Sequence, residues 1–98
     1  MTDLEKARQI INDVDSKMRD LFIERMKAAT TVAEYKKLHG IKVLDPQREA
    51  EVLARNSDAF TDNELKGYYV DFLMNNMEIS KRYQHQLIDG QGIANSDK

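Results

Sequence analysis

The chain has 98 residues, a formal net charge of −2, 41% apolar residues and 33% charged residues. That fits one small domain with a thin core, and it excludes a global basic field for nucleic acid, so any anion site must be a local cluster of Lys and Arg. With no Cys, disulfides and thiolate metal sites are excluded, and His39 and His85 are too far apart in sequence to form a ligand-spacing motif.

No metal site is therefore expected. The start "MTDLEKARQI" has no apolar run and so no signal peptide, and no stretch approaches the roughly 20 apolar residues of a membrane span. The expected location is the cytoplasm, with neither membrane nor nucleic acid as partner.

Residues 2–39 contain neither Pro nor Gly. Thr2 followed by Glu5 matches a capping box, a helix start signal. From there Leu4, Ala7, Ile11, Val14, Met18, Leu21, Arg25, Ala28, Val32 and Tyr35 follow a 3-4-3-4 spacing, the seam of a coiled-coil-like helix. Ile10 and Phe22 widen that stripe, and Gly40 stands where a C′ residue would end the helix.

Asp45 is a good N-cap for a second, short helix, with Pro46 at its first position and Val52 and Leu53 on its apolar side. Asn56, Ser57 and Asp58 mark its exit. Thr61 and Glu64 form another capping box, after which Leu65, Tyr69, Phe72, Leu73, Ile79, Tyr83 and Leu87 recur at helical spacing. Gly67 weakens the first turns of that third helix modestly. The spacing predicts an all-α chain of three helices, long, short and long. The helical domain is expected over 1–90, and a polar, flexible tail is expected over 91–98.

The first helix, about 37 residues, is roughly 55 Å long, whereas a compact domain of this size has a radius of gyration of about 13 Å. Such a helix cannot bury its whole stripe within its own chain. A homodimer with the long first helices paired and intertwined is the economical solution.

Arg25 occupies a beat of the apolar seam. Lys36, 11 residues on, points within about 20° of it and lies roughly 16 Å along the axis. Ala28, Ala29 and Val32 fall between and leave room. The pair reads either as an anion site or as two side chains that snorkel outward over apolar surface. Arg8 is roughly 25 Å from Arg25 on the same helix, so it reaches a shared small ligand only from a second chain; otherwise it is an exposed residue near a helix start. Ser80 and Gln84 are i, i+4 neighbours at the edge of the third helix's apolar stripe, fit either for a polar ligand or for a boundary position. The helix dipole accounts for Glu49 in the first turn of helix two, but Arg48 is at the wrong end for that explanation.

Together these residues resemble the all-helical (AroQ-type) chorismate mutases. The carriers are Arg8, "ERM" with Arg25, "EYKK" with Lys36, "DPQRE" with Asp45, Arg48 and Glu49, and "SKRYQ" with Ser80 and Gln84, over about residues 4–88. The resemblance implies a three-helix chain in an intertwined homodimer and the rearrangement of chorismate to prephenate in phenylalanine and tyrosine biosynthesis. It implies that Arg25 and Arg8 of the partner subunit bind the two substrate carboxylates. Lys36 serves a carboxylate and the ether oxygen, and Gln84 donates to the same ether oxygen. Glu49 and the backbone near Asp45 hold the ring hydroxyl, while Arg48 and Ser80 complete the lining.

The implied reaction is pericyclic. One C–O bond breaks as a C–C bond forms, with no nucleophile and no obligatory proton transfer, so no metal and no cofactor are expected. Holding a flexible dianion in its reactive conformer and stabilising charge on the ether oxygen are the two tasks left to the protein. An isochorismate-pyruvate lyase on the same scaffold would also need cationic clamps, but Glu49 after Arg48 resembles the mutase pattern. A non-catalytic helical dimerisation or regulatory module is the alternative of another class; it predicts that Arg25→Ala and Lys36→Ala are tolerated.

Overall fold

The computed structural model describes residues 1–90, so the tail expected over 91–98 lies outside the described residues. Three α-helices follow in order: α1, Asp3–His39; α2, Pro46–Ala59; α3, Asn63–Asp89. Among the described residues there is no strand, and no helix is long and apolar enough to cross a membrane.

Helix α1 starts where its sequence signal lies. The Thr2 hydroxyl accepts from the Glu5 N–H at 3.1 Å, and the Thr2 N–H donates to Glu5 Oε1 at 2.8 Å. The Thr2 backbone bond, then its hydroxyl, hold the Glu5 carboxyl below its usual range. At the other end Gly40 takes φ 65°, a left-handed conformation that disfavours a side chain. Its N–H donates to Lys37 O and the Ile41 N–H donates to Lys36 O, the bond pair of a Schellman turn. The turn sends the chain back so that Val43 is buried, 7% exposed.

Helix α2 begins as its sequence implies, with the Asp45 carboxylate accepting from the Arg48 N–H at 3.0 Å and Pro46 in the first turn. Its expected exit at Asn56, Ser57 and Asp58 is corrected: the helix runs through all three to Ala59. Asn56 turns its amide back onto Val52 O at 2.8 Å, so the residue that would compete with the helix bonds within it. The stop comes at Phe60, whose ring stacks on Tyr69 of α3 with centroids 5.1 Å apart. The expected Thr61 cap is also corrected by one residue. Asp62 is the N-cap, and a single carboxylate oxygen accepts from both the Glu64 and Leu65 N–H groups. An anion there also complements the helix dipole, which a Thr hydroxyl does not.

Helix α3 packs on both α1 and α2. Ala29 and Ala33, one turn apart, are buried on α1, and Leu73 is buried on α3. The small α1 residues permit close approach where the helices meet. The rest of α1 has no such cover: every residue from 1 to 25 is exposed on this chain. The seam residues Leu4, Ile11, Val14, Met18 and Leu21 are each at least 42% exposed. The radius of gyration is 16.8 Å and the longest dimension 54 Å, against about 13 Å for a compact domain of this length.

Candidate active site

A cavity of about 260 Å³ opens where α1, α2 and α3 meet, near the low end for small-molecule sites. Ala28, Ala29 and Val32 form part of its wall on α1, between Arg25 and Lys36. Of the residues expected to bind a ligand, Arg25, Lys36, Asp45, Arg48, Glu49, Ser80 and Gln84 all line it. Arg8 does not line the cavity of its own chain; it is exposed on the first turns of α1.

The Lys36 ammonium donates to Val43 O at 2.9 Å, which ties the end of α1 to the connecting segment. Two of its three protons stay available. Arg48 approaches Glu51 one turn on at 3.9 Å, with both side chains more than half exposed, a pair that restrains the guanidinium little. The ion pairs among the described residues take Arg48, Lys81 and His85, and none takes Arg25 or Lys36. Arg25 and Lys36 thus have no close ion-pair partner among the described residues.

Gln84 and Ser80 are buried, at 8% and 7% exposure. The Gln84 amide donates to Ser80 Oγ at 3.1 Å. Gln84 Oε1 is buried with no hydrogen-bond partner among the described residues. An unpaired buried acceptor costs about 1–3 kcal/mol. The Ser80 hydroxyl both donates and accepts, so the amide can turn over and keep that bond while Nε2 faces the cavity. Either way, one end of the amide is short of a partner that a polar ligand can supply.

Four cations (Arg25, Lys36, Arg48, Lys81) and two carboxylates (Asp45, Glu49) line the cavity, a surplus of two positive charges. Such a wall suits a small dianion. Its cations sit on different helices, which fixes the separation of the groups they would grip.

Lys81 was not singled out by the sequence. It sits one residue after Ser80 and three after Glu78, and the i, i+3 spacing from Glu78 reads as an ordinary solvated pair. Met77, Val43 and Val52 also line the cavity, and only Val52 carried a signal, as part of the apolar side of α2.

The family model described as chorismate mutase type II matches residues 7–85. No curated protein matches the chain, and no solved structure does.

Proposed function

The chain belongs to the chorismate mutase type II family, and from that premise we propose that it rearranges chorismate to prephenate in the cavity between its three helices. The observation that carries this reading is the convergence of Arg25, Lys36, Arg48, Glu49 and Gln84 on one cavity whose positive surplus matches a dianion.

Arg25 grips one substrate carboxylate, and its guanidinium fork fixes orientation as well as charge. Lys36 serves a carboxylate and the ether oxygen with the protons that Val43 leaves free. Gln84 turns Nε2 to the same oxygen, with Ser80 holding the other end of the amide. Glu49, with backbone near Asp45, holds the ring hydroxyl, and Arg48 completes the anion wall. The compact conformer of the substrate is selected by this spacing. Negative charge that grows on the ether oxygen as the C–O bond breaks meets two donors already in place. No proton needs to be transferred and no covalent intermediate forms. A typical lower-end enzymatic acceleration of about 10⁶ corresponds to roughly 8 kcal/mol, and one such donor commonly contributes about 3–4 kcal/mol.

The second carboxylate is assigned to Arg8 of the partner subunit in a homodimer. Support comes from the exposed seam: Leu4, Ile11, Val14, Met18 and Leu21 form an apolar stripe along the half of α1 that α3 does not cover. A contiguous apolar stripe of this kind marks an interaction surface, and pairing with the same stripe of a second copy covers it with two-fold symmetry.

Product identity tests the activity. Purified protein incubated with chorismate should yield prephenate, identified by proton NMR. Salicylate and pyruvate from isochorismate would instead indicate the lyase. An unchanged spectrum with both compounds would contradict either enzyme.

A further inference from the structure

Lys81 is one of the four cations that line the cavity, but no substrate group is assigned to it above. Its ammonium lies 3.0 Å from Glu49 Oε2 on α2 and 2.8 Å from Glu78 Oε1 on α3 itself. The two pairs differ in kind. The Glu78 side chain is 67% exposed and shares a helix with Lys81, so that pair is an ordinary surface contact. The Glu49 and Lys81 side chains are 29% and 20% exposed, and their contact joins two helices at the cavity wall. Away from bulk water a charge pair is screened less and holds its geometry better.

Helix α2 needs such a link. It has no buried residue of its own, and among the described residues its helix contacts are with α3, not α1. Glu49 is therefore positioned from α3. A free carboxylate beside a dianionic ligand would be pushed toward solvent, away from the ring it has to meet. The ammonium opposes that push. Hydrogen bonds to Glu78, and then to Glu49, raise the Lys81 pKa above its usual range, as expected of an ammonium held between two carboxylates.

We propose that Lys81 is a positioning residue that pins Glu49 against the cavity wall, in the orientation that accepts a hydrogen bond from the substrate's ring hydroxyl. The pin thereby sets the preference for a hydroxylated ring over one without the hydroxyl. This deepens the mutase reading and rests on it. Nothing in the role touches the ether oxygen, which Lys36 and Gln84 serve.

The test compares turnover of chorismate with that of its analogue lacking the ring hydroxyl. Lys81→Met should raise KM for chorismate about tenfold, the weight of one hydrogen bond to a charged acceptor, with kcat little changed. Loss of one cavity cation bears on both dianions alike and cancels in the ratio, whereas the loss of the hydroxyl contact falls on chorismate alone, so the ratio of kcat/KM values between the two substrates falls about tenfold. Lys81→Arg should restore most of the ratio. Glu49→Gln should lower the same ratio by itself, and adding Lys81→Met to it should change the ratio little further. An active wild type with an unchanged ratio in Lys81→Met overturns the proposal. So does an equal loss on both substrates, which is what a purely structural clasp between α2 and α3 would give. If Lys81→Met fails to fold, Lys81→Gln, which keeps a polar head without the charge, decides by the same criterion. A wild type that turns over neither compound removes the mutase reading and this proposal with it.

Discussion

Lys36→Met is expected to lower kcat/KM for chorismate by about 10³ or more while the protein stays folded. The ammonium is asked to do two things, and the variant separates them. In the folded chain it donates to Val43 O at 2.9 Å, and loss of that bond should cost stability only about 1 kcal/mol. In the proposed reaction it faces a carboxylate and the ether oxygen on which charge develops. Loss of a donor to such an oxygen commonly costs about 3–4 kcal/mol of barrier. Met keeps the apolar stem over Val32 and the end of α1, so the change is confined to the head group. Circular dichroism and a denaturant midpoint measured beside the rate separate the two effects. A variant that keeps most of its turnover would mean that the cation serves its bond to Val43 O and not the reaction.

Gln84→Glu is expected to convert a pH-insensitive donor into a titrating one. The site is 8% exposed, and burial raises a carboxyl above its ordinary value of about 4.3. Below the raised value the group is neutral and donates as the amide does. Above it the group is an anion beside a dianion and next to the oxygen that gains charge. Activity should therefore be highest in acid and fall as pH rises through the raised value. At pH 8 the loss against wild type should be about 10²–10³-fold, narrowing to within about tenfold near pH 5. The measurement is the pH profile of kcat/KM for both proteins. Parallel profiles would contradict a donor role for Gln84.

Where side chains act on their own helix, the sequence shows the outcome. Thr2 with Glu5, Gly40, and Asp45 with Pro46 each act within one turn, and the helix ends lie where those residues put them. The exit of α2 is different. Asn56, Ser57 and Asp58 carry turn character, but the helix runs on to Ala59, and its cap Phe60 stacks on Tyr69 in a contact that spans two helices. The Thr61 box loses to Asp62 for a local reason: a carboxylate one residue on serves two N–H groups at once.

The cavity divides in the same way. Arg25 stands out because it interrupts an apolar seam, and the face that Lys36 shares with it follows from helix geometry alone. Lys81 interrupts nothing. Its significance comes from Glu49, 32 positions earlier on another helix, and only the packing of α2 on α3 brings the two within 3.0 Å. The Val43 carbonyl is less legible still, because a backbone acceptor has no side-chain signature.

The central claim is that each site takes its cations from two chains, and complementation tests it most directly. Arg8→Ala and Lys36→Met chains, each nearly inactive alone, are unfolded together in equal amounts and refolded. In a mixed dimer one site carries both lesions, and the other takes Arg8 from one chain and Lys36 from its partner, so it is intact. Random pairing makes half the dimers mixed, so the mixture should recover about a quarter of wild-type activity. A mixture no more active than its two components would contradict the shared site.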